Sequence, residues 1–178
     1  MTLTEVSQKS RQTVPLTFYA DYTERSKNLI QWMEKITTAT VYSFLSLVPR
    51  QLQHVKEVPG VYMISNIQTK EVLYIGQTTN LQRRMYTNQL MGNINSSSIK
   101  RFLSTDQLLK EFISDSGERW HDPEESEDHL KKNVDLAKQY LKEKCQLQFV
   151  VILDARERTL IRNGLSYALN VRFIENEQ

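Results

Sequence analysis

Three scarcities bound what this chain can be. It has one cysteine, Cys145. A single thiol forms neither an internal disulfide nor a multi-cysteine zinc site, so neither brace can hold this fold, and Cys145 reads as a small buried residue entering a strand. No stretch approaches the roughly 20 consecutive apolar residues that a membrane span requires. Residues 1–11 also lack the apolar run of a secretory leader, so the expectation is an intracellular protein without membrane association. Charge of one sign is scarce too: 23 Lys and Arg stand against 21 Asp and Glu, a formal net charge of +2. That total is nearly uninformative, because nucleic-acid binding depends on where the charge lies. No internal repeat, low-complexity segment, zinc finger or helix-turn-helix pattern can be read.

What is present suits one globular domain with extensions. The 178 residues are 39% hydrophobic and 25% charged, enough for a core and not for two full domains. Charge is segregated along the chain. Between Val58 and Leu103 the residues Lys70, Arg83, Arg84, Lys100 and Arg101 face one acid, Glu71. Between Asp106 and Asp128 the acids dominate. A phosphate-facing side beside a solvated or regulatory side is the reading, with surface charge of no special purpose as the alternative. His121 and His129 flank the acidic cluster, but their spacing fits no common metal-ligand motif. His54 reads as a surface or interface residue.

Residues 1–14 are polar and read as a flexible tail. From Thr23, Leu29, Ile30, Met33 and Ile36 fall at helical spacing, and a second apolar run spans Val41 to Val48, giving a helical extension over 15–57. From Gly60 the composition turns to β-formers. Val61 to Ile64 and Val72 to Ile75 predict two strands of an antiparallel hairpin. Thr79-Asn80 opens a helix towards Leu90, Ile99 to Phe112 predicts another, and Asp128 to Lys144 a third. The run Leu147 to Leu153 predicts a buried third strand, followed by a helix over about Ala155 to Asn163. The fold class is therefore α+β: a small, mainly antiparallel three-stranded sheet flanked by helices, with an N-terminal helical extension and an acidic helical insertion over about 115–144.

Gly60-Val61-Tyr62, followed after one short turn by Tyr74-Ile75-Gly76, resembles the paired strand motifs of the GIY-YIG nuclease family. Downstream, Gln77 to Arg84 resembles the start of the family's helix, with Arg84 at the spacing of its arginine. Glu157 to Ile161, ending at Leu169-Asn170, is similar to its glutamate helix and terminal asparagine. The resemblance covers roughly Pro59 to Phe173, and on it 58–178 is the catalytic domain. It departs from the pattern at Asn88, where many members carry histidine or tyrosine, and at Gln77, where some place lysine.

The resemblance implies a metal-dependent endonuclease acting on DNA, most simply double-stranded, with magnesium or manganese as cofactor. Tyr62 is then the general base, Tyr74 orients water or phosphate, Arg84 clamps phosphate and Glu157 holds the metal. Gln77, Asn88, Asn170, Arg83, Lys100 and Arg101 would contact substrate. The chemistry fits these residue types: phosphodiester cleavage needs a proton acceptor, a cationic clamp and usually a metal. Arginine grips phosphate oxygens in two places, and a carboxylate supplies hard oxygen to a hard ion. The metal and neighbouring cations are expected together to lower the pKa of Tyr62. Two alternatives stay open: the module could bind nucleic acid with weak or no catalysis, or it could be a protein-interaction adaptor. In the endonuclease itself the helical extension could bind DNA or form a homodimer, which would let two single-strand cuts become one double-strand cut.

Overall fold

Residues 16–174 are described by the computed structural model; the tail expected over residues 1–14 lies outside them. The class is α+β as expected, but the sheet has four strands rather than three, all antiparallel, in the order β1-β4-β2-β3. The added strand is β1 (Tyr42–Ser43), paired with β4 (Cys145–Val151). Two residues carry no alternating pattern long enough to read in a sequence. What fixes them is partly an aromatic contact, Tyr42 stacking on Phe149 at 5.4 Å.

Central β2 (Gly60–Asn66) is buried along its whole length, and its alternation divides two cores. Tyr62 and Ile64 face a core shared with Leu103, Leu109, Ala137 and Leu141 from α2 (Ser98–Leu103), α3 (Gln107–Ser116) and α4 (Glu127–Lys144). Val61 and Met63 face the other core, with Ile36 from α1 (Leu16–Thr37) and Ile161 and Leu165 from α5 (Ala155–Ala168). In α1 the inward stripe is Leu29, Trp32, Met33 and Ile36, the i, i+3, i+4, i+7 pattern of a buried helix face. Ile30, expected on that stripe, is 55% exposed. The helix expected from Ile99 to Phe112 is broken in two. The Asp106 carboxylate accepts from Leu108 N–H and restarts the chain as α3. Helix α4, charged but not acidic on balance, places Val134, Ala137, Tyr140 and Leu141 inside the protein, so only its outer face is solvated.

The β2-β3 hairpin (β3, Val72–Thr78) sets the chemistry. Its register puts Tyr62 opposite Gly76 and Ile64 opposite Tyr74, with an irregularity after Ile64. Because Tyr62 lies across Gly76, a Cβ there would come within 2.3 Å of the tyrosine's Cζ and Oη. Glycine is required at Gly76 by space, not by backbone angles. Gly76→Ala is expected to destabilise the protein by about 1–3 kcal/mol through overpacking. The readout is the denaturant midpoint, and a wild-type midpoint would contradict the placement of the Tyr62 ring over Gly76.

Candidate functional site

Beyond β3 the chain turns on Thr78 and Asn80. Asn80 N–H donates to Thr78 Oγ1, and the Asn80 side chain accepts from Arg83 N–H, opening a helix. That helix is not α throughout: residues Arg83–Leu90 form a π-helix, and Met91 N–H donates to Tyr86 O, five residues back. Such wide turns change which side chains share a face. Counting by α-turns puts Asn88 beside Arg84. In the π-helix it is Gln89, five residues on, that joins Arg84 at Tyr62. Arg84 Nε donates to Tyr62 Oη at 3.2 Å and Gln89 Nε2 at 2.7 Å. The Tyr74 ring lies 6.0 Å from that of Tyr62, and both tyrosines are fully buried. Sequence reading missed Gln89; no periodicity would have found it, because the α count selects its neighbour.

Burial pushes the Tyr62 phenol above its ordinary value of 10.0. The Arg84 charge and hydrogen bonds from Arg84, Gln89 and Tyr74 pull it down without offsetting the burial. The protein's own cations therefore do not by themselves give Tyr62 a lowered pKa, because desolvation of a wholly buried phenol is the larger effect.

Arg84 also reaches open space. Together with Arg83, Gln77, Thr78, Thr79, Asn80 and Asn88 it lines a recess of about 370 Å³ that contains no acidic residue. Gln77 ties this recess to α5, accepting from Thr159 Oγ1 at 3.2 Å. The structure thus brings Tyr62, Tyr74, Arg84, Gln77, Asn88 and Arg83 to one end of the hairpin. Lys70, in the hairpin's turn, lies at the other end.

Glu157, expected to share one concave surface with Tyr62, Tyr74 and Arg84, does not: its helix α5 packs on the face of the sheet opposite Tyr62, and it lines a different recess from Arg84. It is exposed in the first turn of α5, and Oε1 accepts from Trp32 Nε1 of α1 at 3.2 Å. It lines a second recess, of about 240 Å³, with Arg25, Asn28, Leu29, Leu160, Ile161 and Gly164. Trp32 is a second residue the sequence reading passed over, although it completes the helical stripe of Leu29, Met33 and Ile36. Asn170 is at the opposite end of α5. With φ +48° it adopts the left-handed conformation that ends a helix. Asn170 N–H donates to Tyr167 O and Val171 N–H to Ser166 O, the paired bonds of a helix C-cap. A structural reason for Asn170 therefore exists without any substrate.

Among the described residues no group of three or more His, Cys, Asp or Glu is arranged to hold a metal, and no helix is long and apolar enough to cross a membrane. His121 and His129 have ring centroids 5.1 Å apart, and His129 Nδ1 lies 3.3 Å from Glu125. A lone exposed carboxylate such as Glu157 fits only an ion that keeps most of its water and takes further oxygen from phosphate, which is magnesium's habit.

Residues 58–140 match the family model of the GIY-YIG catalytic domain, so the chain contains a domain of that nuclease family. The matched segment holds Tyr62, Tyr74, Arg84 and Gln89; Glu157 and Asn170 lie beyond it. No curated protein and no solved structure matches the chain.

The basic surface expected around the site is smaller than its sequence suggests. Arg101 is exposed, its guanidinium 5.7 Å from the Phe102 ring. Lys100, expected to contact substrate, is 1% exposed, and its ammonium donates to the carbonyls of Leu90 and Gly92. It closes the end of the π-helix, where carbonyls lack helical partners. Burial, then the charge of Lys138, lowers its pKa from 10.5 to about 8 against the opposing pull of Asp135. The folded state therefore holds fewer protons than the unfolded one between about pH 8 and 10.5. Relative to Lys100→Met, the wild-type protein should gain stability as pH rises through that window, read by denaturant unfolding. A difference that stays constant with pH would contradict a buried, perturbed ammonium.

Proposed function

We propose that the GIY-YIG nuclease domain contained in this chain is a metal-dependent endonuclease that hydrolyses phosphodiester bonds of double-stranded DNA. The observation that carries the reading is the hydrogen bond from Arg84 Nε to Tyr62 Oη at the edge of an acid-free recess. One arginine then couples a buried phenol to a place where phosphate would be attracted. The guanidinium is always charged and planar, so it suits a phosphate that gains negative charge in the transition state. Arg83, Gln77 and Asn88 line the same recess and supply further donors to phosphate oxygens.

In the reaction, Tyr62 as phenolate takes a proton from water, the water oxygen bonds to phosphorus, and one phosphorus–oxygen ester bond breaks. The departing alkoxide takes its proton from solvent. Arg84 holds the charge on the phosphate, and Tyr74 orients the water. Glu157 would hold magnesium or manganese, which when bound supplies extra neutralisation of the phosphate.

A second reading, a catalytically weak or inactive nucleic-acid-binding module, is favoured by the burial of Tyr62 and by Glu157 lining a recess other than that of Arg84. Cleavage of supercoiled plasmid with and without magnesium or manganese separates the two. The endonuclease reading expects metal-dependent nicking. Tyr62→Phe should lower it about 10²- to 10⁴-fold, the contribution of a general base, with duplex affinity retained. Glu157→Gln should abolish cleavage, with duplex binding retained. Because Tyr62 is protonated at neutral pH, the rate should also climb from about pH 7 to about pH 9. Salt-dependent binding without any cleavage would leave the binding module standing and the endonuclease fallen.

A further inference from the structure

Gln89 is a fully buried amide with both ends engaged. Its Nε2 donates to Tyr62 Oη at 2.7 Å, and its Oε1 accepts from Ser97 Oγ at 2.9 Å, the nearer of two Gln89 acceptors of that hydroxyl, the main-chain carbonyl lying at 3.1 Å. Ser97 is itself fixed, because Oγ accepts from Lys100 N–H as the cap of α2. The chain Lys100 N–H, Ser97 hydroxyl, Gln89 amide, Tyr62 phenol therefore runs from a helix start to the site. It sets which end of the amide faces the tyrosine.

That orientation has a chemical consequence. A neutral phenol accepts two hydrogen bonds and donates one. Arg84 and Gln89 both donate to Tyr62 Oη, so the phenolic proton is shared with neither of them, and the hydroxyl's third hydrogen-bond partner is Tyr74. When Tyr62 loses that proton both bonds strengthen: the Gln89 bond becomes charge-assisted, and the Arg84 bond, charge-assisted already, becomes an ion pair. A reversed amide, with Oε1 towards Tyr62, would accept the proton and hold the phenol neutral.

We propose that Gln89 is a positioning residue for the cleavage reaction: oriented by Ser97 and brought to Arg84's face by the π-helix, it holds the Tyr62 oxygen ready to accept a proton from the attacking water. The proposal rests on the reading of Tyr62 as the proton acceptor. It gives the π-helix a purpose, since an α-helical turn would direct Asn88 rather than Gln89 beside Arg84.

The test is a double-mutant cycle on single-turnover cleavage of supercoiled plasmid in magnesium, with duplex affinity and melting temperature measured on every variant. Gln89→Met keeps the side chain's length and removes the donor. It should slow cleavage about 10- to 100-fold, the range for a hydrogen bond to a charged group, with duplex affinity unchanged. In a Tyr62→Phe background the same substitution should cost nothing further, because its target oxygen is gone. Gln89→Glu guards against a folding defect: it keeps the Ser97 contact and turns an acceptor towards Tyr62, so it should be at least as slow as Gln89→Met. An equal loss from Gln89→Met in both backgrounds, or wild-type cleavage by Gln89→Glu, overturns the proposal. If instead Tyr62→Phe alone cuts like wild type, it is the general-base reading that has failed, and the role of Gln89 falls with it.

Discussion

The burial of the Tyr62 phenol is the constraint on which the rest of the site depends. Its ring fills the space over Gly76, which is why that residue has no side chain. Its oxygen, lying away from water, must find partners inside the protein, because an unpaired buried hydroxyl is costly. Arg84 and Gln89 meet that need from one helix, and they do so together only because the helix is π-wound between Arg83 and Leu90. Lys100 then closes the carbonyl end of that helix from within the protein. A glycine, an arginine, a glutamine and a buried lysine are thus consequences of one phenol's position.

The same constraint shapes the energetics of catalysis. Desolvation favours the neutral phenol, while the Arg84 charge and converging donors favour the phenolate. A proton acceptor poised between these influences is costly to ionise at rest and gains when further positive charge arrives nearby. Arg84 faces both ways, towards the phenol and towards the recess, so phosphate and phenol compete for one guanidinium. Glu157 adds a different link. Through Trp32 it ties the first turn of α5 to the N-terminal helix α1, so the extension touches the carboxylate proposed to hold the metal.

Much of this was legible in the sequence, and the rest was hidden for identifiable reasons. The hairpin, strand β4 and helices α1, α4 and α5 follow from apolar periodicity and turn residues, although β4 ends at Val151 and the apolar run expected to be buried to its end leaves Val151 and Leu153 exposed. The family motifs pointed to Tyr62, Tyr74 and Arg84, which the fold brings together, and the match over 58–140 supports the domain. The π-helix was not legible, because pattern counting assumes 3.6 residues per turn and so chose Asn88 over Gln89. Lys100 was misread because a sequence shows its charge and not that carbonyls would surround it. Strand β1 was too short for a period. Glu157 and Asn170 sit at opposite ends of α5, a separation that order along the chain does not reveal.

Arg84 is the residue that joins phenol to recess. The decisive measurement is magnesium-dependent relaxation of supercoiled plasmid by purified wild-type protein and by Arg84→Ala at equal concentration. The account predicts that the wild type nicks the plasmid and that Arg84→Ala, still folded, does not. Equal nicking by both proteins would contradict it.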